Sequence, residues 1–372
     1  MRYFFSSGEP SGELSAVLLA QAIRAYDRDA RFEGIGADRM RTEGFELWRN
    51  NTGWASMGPL AAVPRIPKLL TTMWQTAAHI ARRKPDLVIL VDFGVFNVRL
   101  ARTLRKRLNY SGPVLDMYPP GAWLDRLGAA RAVSTYAVPL TAFEHQYEFY
   151  KRHRLPIVYF GHPLASQYIT RPPREAPPLD GGTVALLPGS RSGELRNHVP
   201  ALIGAYRLLK TRRPQLRGIF GAADARGEAV LQRIIRRENL SDVTVVRGVA
   251  AAVAGADAAW VASGTAVLES TLLGVPSIAL YILAKALVRH ARRVYTGKYI
   301  TLPNLVLNRE IVPEFQQEGA TPEHLADAME HLLRNPAQQY DQFPDLRTAL
   351  GPPDALDHCA KFAVALARAG SV

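Results

Sequence analysis

The sequence predicts an α/β protein built from two Rossmann-like domains, each a parallel sheet covered by helices. Short apolar runs alternate with amphipathic stretches along almost the whole chain. The runs are near-continuous rather than alternating, as in strands buried on both faces. At 372 residues, the chain is also longer than one hydrophobic core usually supports.

The first series of candidate strands is Tyr3–Phe5, Arg31–Gly34, Leu87–Val91, Pro113–Met117, Tyr136–Val138 and Ile157–Tyr159. The second is Thr183–Leu187, Leu216–Phe220, Val243–Val246, Ala258–Val261 and Ser277–Leu280. Helical spacing fills most of the gaps. Between the series, Arg171 to Gly182 is rich in Pro and Gly and has no apolar period. It is expected to be an interdomain linker. The expected division is therefore a domain over 1–165, a linker over 166–182, a domain over 183–350 and a C-terminal helix over 351–372. That helix either packs back on the first domain or is exchanged in a dimer. Two such domains are expected to face a cleft at the carboxyl ends of their strands, where open α/β sheets bind ligands.

Leu69, Leu70, Met73, Trp74, Ala77 and Ile80 recur at helical spacing, flanked by Lys68, Arg82 and Arg83, with Pro64 and Pro67 ahead. Such a stripe either packs into the core or lies at a lipid boundary with Trp74 and the cations at the interface.

Composition narrows the class. No apolar run is long enough to span a bilayer, and the start of the chain flows straight into a strand pattern, so a cytoplasmic protein is expected. The single cysteine, Cys359, rules out an intramolecular disulfide and reads as a packed core thiol. Net charge is +13 with pI near 10.0. The cations are spread over helices, as at Arg102–Arg107 and Arg236-Arg237, and no nucleic-acid motif accompanies them. An anionic substrate at an anionic membrane surface fits the charge better than nucleic acid.

Four candidate strands end in small or polar residues. Ser6-Ser7-Gly8-Glu9-Pro10-Ser11-Gly12-Glu13 follows the first strand. Ser7 or Ser11 is expected to cap the next helix, and Gly8 and Gly12 to let a substrate approach. Asp92-Phe93-Gly94-Val95-Phe96-Asn97 follows Leu87–Val91, placing Asp92 and Asn97 at a strand's carboxyl end. Pro188-Gly189-Ser190-Arg191 follows Thr183–Leu187 and opens a helix. Helix N-termini offer unpaired N–H donors to phosphate, and arginine adds a two-pronged cationic fork. The same turn is also an ordinary β-to-α loop. Its partner is Ser263-Gly264-Thr265, after Ala258–Val261, which repeats the design. Glu269, one helical turn beyond Thr265, can accept hydrogen bonds from two vicinal ribose hydroxyls. Together these segments point to a nucleotide-diphosphate site. No metal-ligand cluster or cofactor is called for.

These segments resemble the lipid-A-disaccharide synthase family of two-domain glycosyltransferases with GT-B architecture. The resemblance runs nearly end to end through Gly8–Glu13, Gly34–Met40, Lys84–Asp86, Phe96–Leu100, Phe143-Glu144, Gly161–Leu164, Leu186–Glu194, Ala262–Glu269 and Leu302–Leu305 with Arg309-Glu310. It implies transfer of a 2,3-diacylglucosamine unit from its UDP derivative onto a lipid acceptor, 2,3-diacylglucosamine 1-phosphate, with inversion. It places Arg191, Ser263, Gly264, Thr265, Glu269 and Asn304 at the UDP-sugar site. It further implies peripheral association with the cytoplasmic face of the inner membrane, and a homodimer that exchanges C-terminal segments.

The chain departs from the family's pattern on the acceptor side. Where the family reads Asp-x-Pro-Asp-Phe-Asn, the second aspartate is Val95, which cannot take a proton. Either Asp92, Glu9 or Glu13 takes over as base, or the acceptor differs, or the chain is a catalytically silent homologue that binds nucleotide sugar or membrane. The family's Trp-Ala-Trp segment appears here as Trp123-Leu124-Asp125, and Asp125 is either a displaced base or an ordinary turn or cap residue.

Overall fold

The computed structural model describes residues 1–52, 54, 66–120, 127–168, 170–285, 287–289 and 297–370. The chain forms two compact units: Met1–Gln167 with Leu350–Val372, and Tyr168–Ala349.

The first unit opens with β1 (Arg2–Ser7), α1 (Pro10–Arg24), β2 (Arg31–Gly36), α2 (Asp38–Thr42) and β3 (Glu46–Asn50). It continues through α3 (Ile66–Arg83), β4 (Leu87–Val91), α4 (Gly94–Arg107), β5 (Val114–Met117) and α5 (Leu127–Tyr136). It then runs through β6 (Val138–Thr141), α6 (Glu144–Arg152), β7 (Val158–Tyr159) and α7 (Pro163–Gln167). The strands form one parallel sheet in the order β3-β2-β1-β4-β5-β6-β7. The central strand β4 is buried along its whole length, which explains its unbroken apolar sequence. Two strand positions depart from expectation. β3, with the sequence Glu-Leu-Trp-Arg-Asn, is an edge strand whose polar content hides it. β6 starts two residues late because α5 holds Tyr136.

The second unit contains β8 (Thr183–Leu187), α8 (Ser192–Arg212), β9 (Arg217–Ala222), α9 (Ala225–Arg237), β10 (Val243–Arg247), α10 (Val249–Ala254) and β11 (Ala258–Ala262). It continues with α11 (Thr265–Leu272), β12 (Ser277–Tyr281), α12 (Leu302–Leu307), β13 (Glu314–Gln316), α13 (Pro322–Arg334), α14 (Ala337–Tyr340) and α15 (Phe343–Ala349). Its parallel sheet has the order β10-β9-β8-β11-β12-β13. The three-residue edge strand β13 carries too little apolar sequence to be read in advance.

The proline-rich stretch 171–182 is fastened to this unit rather than left free. Arg171 donates to the carbonyls of Val253, Ala254 and Gly274. Arg213, fully buried and paired with Glu330 at 2.7 Å, donates to the carbonyls of Pro178 and Gly181. Without periodicity, a segment can still be ordered when buried cations take up its carbonyls.

The chain then returns to the first unit, where α16 (Ala355–Ala369) lies on α1. Cys359, Ala360, Ala363 and Val364 share a core with Ala16, Val17, Ala20 and Ile23. Burial pushes the Cys359 thiol up to about 12, as fits a packing residue.

The apolar stripe of α3 divides. Met73, Ala77 and Ile80 are buried against Phe4, Val88 and Leu90, whereas Leu70 and Trp74 are 36% and 45% exposed. Pro64 lies outside the described residues. Among the described residues, no helix is long and apolar enough to cross a membrane.

Candidate active site

The second unit carries the diphosphate candidates on adjacent strands, since β8 pairs with β11. After β8 the backbone turns at Gly189, whose φ of +100° lies in the left-handed region that favours glycine. A Cβ there would stand 2.3 Å from the Glu194 carboxylate. That carboxylate folds back from the first turn of α8. Its Oε2 accepts from the backbone N–H groups of Ser190 and Arg191 at 2.9 and 3.0 Å, and its Oε1 accepts from Arg191 Nη1 at 3.0 Å. The donors expected to face phosphate are thus engaged by an internal carboxylate. Below the turn, buried His198 joins two strand ends. Its Nδ1 donates to Pro188 O at 2.8 Å, and its Nε2 accepts from Ile282 N at 3.0 Å. Burial lowers its pKa, and the two bonds suit one neutral tautomer.

After β11, Ser263 N donates to Leu280 O at 3.0 Å and Ser263 Oγ to Ile300 O at 2.8 Å. Gly264 is exposed, and a Cβ there would meet nothing within 4 Å. Thr265 is half-buried at the start of α11, so this helix N-terminus is open. One turn on, Glu269 is 9% exposed and its Oε2 accepts from Tyr168 Oη at 2.8 Å.

Asn304 differs from its expected role as a ligand group. It is fully buried, and its amide is saturated by the protein. Nδ2 donates to Val312 O and Glu314 Oε1 at 2.7 and 2.8 Å, while Oδ1 accepts from Ile311 N and Val312 N at 2.8 and 3.0 Å. Glu314 in turn accepts from Thr301 N and Oγ1 at 2.9 and 2.7 Å. This clamp holds residues 300–304, including the Ile300 carbonyl bonded to Ser263.

In the first unit, β1 and β4 are neighbours and their carboxyl ends lie together. Asn97 is the tie between them, which corrects its reading as a substrate contact. It is fully buried; its Oδ1 accepts from Ser6 Oγ at 2.7 Å and its Nδ2 donates to Asp92 O at 2.6 Å. Gly8 is also taken up by the protein, since a Cβ there would meet the Phe93 ring at 2.2 Å. At Gly12 a Cβ would meet Ser7 Oγ at 2.7 Å. Both glycines therefore admit neighbouring side chains rather than open a path for substrate. The N-cap of α1 is Glu9, with extended backbone and no side-chain cap. Ser7 Oγ instead donates to Glu9 O at 3.2 Å, and Ser11 sits half-buried in the first turn of α1.

The candidate bases differ in environment. Asp92 and Phe93 both adopt left-handed backbone, with φ of +52° and +51°. Asp92 is half-buried, and its Oδ1 accepts from Phe93 N at 2.8 Å. Glu9 is half-buried at the start of α1. Glu13 is 5% exposed, and burial raises its pKa, opposed by hydrogen bonds from Asn51 and the Ala37 backbone. Val95 is 77% exposed in the first turn of α4. Trp123 and Asp125 lie outside the described residues. Asp116 on β5 is a further buried carboxyl that no motif marks. Among the described residues, no cluster of His, Cys, Asp and Glu could hold a metal ion.

Comparison with known proteins places this geometry. Residues 3–350 match the family described as lipid-A-disaccharide synthetase. The chain is 32% identical over 363 residues to a lipid-A-disaccharide synthase of Pseudomonas aeruginosa, covering 94% of each chain. It is 31% identical to one from Syntrophus aciditrophicus, covering 97% of this chain and 96% of that one. Among solved structures, the UDP-GlcNAc 2-epimerase from Neisseria meningitidis bound to UDP-GlcNAc aligns with a TM-score of 0.64 at 11% identity, covering 98% and 100% of the two chains. The spinosyn forosaminyltransferase SpnP aligns with a TM-score of 0.57 at 16% identity, covering 98% and 99%. At those identities the structural likeness speaks for the fold, which is that of the two-domain GT-B glycosyltransferases. The extent of the family match and the identity to its members together establish that this chain belongs to the lipid-A-disaccharide synthetase family.

Proposed function

We propose that the chain transfers a 2,3-diacylglucosamine unit from UDP to the 6-hydroxyl of 2,3-diacylglucosamine 1-phosphate, with inversion at the sugar carbon. The observation that carries this reading is the pairing of β8 and β11, which sets the Arg191 turn beside the open N-terminus of α11 with Glu269 one turn below. The Gly264-Thr265 N–H groups and the Arg191 guanidinium are the donors for the diphosphate, whose negative charge grows as it leaves, and the Ser190 and Arg191 N–H groups join them if the nucleotide displaces Glu194. Glu269 is the acceptor for the ribose hydroxyls. Asn304 acts behind these groups by fixing the loop that bonds Ser263, and Asn97 fixes the turn that carries Asp92. The attacking hydroxyl must lose a proton, and Asp92, Glu9 and Glu13 are the candidate bases.

The lipid substrates also require a membrane surface. Leu70 and Trp74, exposed on a helix that also carries Lys68, Arg82 and Arg83, suit docking on an anionic leaflet. Peripheral attachment at the cytoplasmic face of the inner membrane fits that helix.

The test is to incubate the purified protein with UDP-2,3-diacylglucosamine and 2,3-diacylglucosamine 1-phosphate in detergent micelles. UDP release and a disaccharide 1-phosphate detected by mass spectrometry are expected; intact donor would refute the proposal. The exposed Val95 favours one second reading, a changed acceptor. In that case UDP release requires a different hydroxyl compound, and Val95→Asp gains nothing on the first acceptor.

A further inference from the structure

Leu70, Trp74, Val95 and Leu179 are the large hydrophobic side chains exposed among the described residues, and the first three lie on two adjacent helices. α3 packs on α4 through a core that Met73, Ala77 and Ile80 share with Leu100, Ala101 and Leu104. That core covers one face of the first sheet, over Phe4, Val88 and Leu90. α1 and α16 cover the other face, over Phe5, Leu87 and Ile89. α4 leaves the carboxyl end of β4, so Val95, in its first turn, stands at that rim. α3 ends at Arg83, just ahead of the amino end of β4, so Leu70 lies about 20 Å back along the helix axis, toward the same rim. Trp54, in the chain ahead of α3, sets its ring against Phe93 and Phe96 at 6.1 and 5.6 Å. Trp54 and Phe93 are half-buried, and Phe93 stands two residues before Val95.

The same two helices are cationic. α3 carries Lys68, Arg82 and Arg83, α4 carries Arg99, Arg102, Arg105, Lys106 and Arg107, and neither has an acidic residue. Val95, Arg99, Arg102 and Lys106 follow at i, i+4, i+7 and i+11, which makes one exposed stripe about 17 Å long. Arg83 pairs with Glu33 at 3.7 Å, and Arg105 donates to the carbonyls of Tyr110 and Gly112. Among the described residues, no carboxylate pairs with Arg99, Arg102 or Lys106. The other face of the sheet mixes its signs: α1 has Glu13 and Arg24, and α16 has Asp357, Lys361 and Arg368. A row of cations alone is an ordinary solvated helix face. Here the row is headed by Val95, which is 77% exposed, and an apolar tip beside cations is the pattern of a lipid interface.

We propose that the exposed stripe of α4 is the second half of a lipid-docking surface. Val95 enters the headgroup boundary beside Leu70 and Trp74, and Arg99, Arg102 and Lys106 bind the phosphates of anionic phospholipid in the leaflet. The inference deepens the membrane docking of α3 proposed above and rests on it. Charge complementarity selects the occupant, since two packed helices without an acidic side chain suit an anionic surface. The stripe also gives Val95 a use. An aspartate there, as in the family's pattern, would be the one acidic side chain on either helix and would face the anionic leaflet. Valine removes that repulsion and adds apolar surface at the rim.

The experiment floats the full chain with phosphatidylcholine vesicles, with and without phosphatidylglycerol, at low and high salt. Each cation near an anionic leaflet is worth about fivefold in binding. The combined variant Arg99→Gln, Arg102→Gln, Lys106→Gln is therefore expected to bind the phosphatidylglycerol vesicles about a hundredfold more weakly. It should lose most of the salt dependence and bind pure phosphatidylcholine as wild type does. Val95→Asp is expected to weaken binding to both vesicles. Val95→Cys carrying an environment-sensitive fluorophore is expected to shift its emission to the blue on phosphatidylglycerol vesicles; Cys359 is buried, so the label goes to position 95. Thermal unfolding temperature is the fold control. A combined variant that floats as wild type does, or a label without a blue shift, overturns the inference. If Trp74→Glu still loses flotation in that case, the α3 contact stands and only the α4 half fails. Unchanged flotation together with lost retention on immobilised nucleic acid would give the α4 cations to nucleic acid and likewise overturn the inference. A wild type that floats with neither vesicle removes the α3 contact and this inference together.

Discussion

Tyr168 donates its phenol proton to the carboxylate of Glu269 at 2.8 Å. The contact spans 101 residues of sequence and joins the first residue of the second unit to the helix that opens at Ser263-Gly264-Thr265. A carboxylate that is 9% exposed needs donors, and this one fixes its orientation before any ribose arrives. Tyr168→Phe should therefore weaken UDP binding by about 1 kcal/mol, the net worth of one hydrogen bond. Glu269→Ala should cost about 1.5 to 3 kcal/mol, since bonds to a charged group are lost. Titration calorimetry with UDP orders the two variants. Equal affinity in wild type and Glu269→Ala would remove Glu269 from the nucleotide site.

The Arg191 turn makes a more specific prediction, because Glu194 already holds two of its N–H groups. Arg191→Ala should weaken UDP binding by about 1.5 to 3 kcal/mol. Glu194→Gln keeps the shape but removes a negative charge from the place a diphosphate would approach. If the nucleotide displaces Glu194, the glutamine variant binds UDP more tightly than wild type. If Glu194 instead shapes the turn around the nucleotide, the variant binds more weakly. The sign of the change separates the two cases, and no change in either variant would make this an ordinary β-to-α turn.

Much of this arrangement is legible in sequence for a local reason. Pro188-Gly189 and Ser263-Gly264 interrupt apolar runs, so strand ends and helix starts stand out. The spacing of Arg191 and Glu194 matches a capping box, in which a carboxylate three residues into a helix reaches back to the N-cap backbone. Asn97 and Asn304 mislead because an asparagine beside a strand end looks the same whether it binds substrate or backbone. Only their complete burial and saturated amides decide the matter. Gly8 misleads similarly, as the space it leaves is filled by Phe93 from another strand end. Tyr168 carries no local pattern at all; its meaning arises from its partner across the fold.

Buried histidines should make the fold sensitive to acid. His162 is 3% exposed, its Nδ1 accepts from Leu164 N at 3.2 Å, and burial lowers its pKa to about 3. Its folded pKa thus lies below the unfolded value of about 6.5. Above about pH 6.5 both states are neutral and His162 adds no pH dependence. As pH falls below that value the unfolded state gains a proton that the folded state refuses, so stability declines down to about pH 3. Urea unfolding of the protein followed between pH 7 and pH 4 should show this loss, and His162→Gln should flatten the decline. His198 lies in the second unit and is shifted in the same direction by burial, so His198→Gln is the matching variant there. A decline unchanged in both variants would assign the acid sensitivity to carboxylates instead.

The lipid-facing role of α3 rests on the split of its apolar stripe. Met73, Ala77 and Ile80 are committed to the core, so their replacement would damage the fold. Leu70 and Trp74 keep about a third to a half of their surface exposed, and that part is available to a bilayer. Trp74→Glu replaces an aromatic that sits well at the headgroup boundary with an anion that an acidic leaflet repels. Binding to vesicles containing anionic phospholipid should fall about tenfold or more, equivalent to about 1.4 kcal/mol. Thermal unfolding and UDP affinity should stay unchanged, because the side chain is exposed and belongs to the first unit. High salt should weaken wild-type binding by screening the cationic residues of the helix, while a remainder survives through Leu70 and Trp74. Flotation of the two proteins with such vesicles at low and high salt measures both effects. Equal flotation of wild type and Trp74→Glu would place the membrane contact elsewhere on the chain.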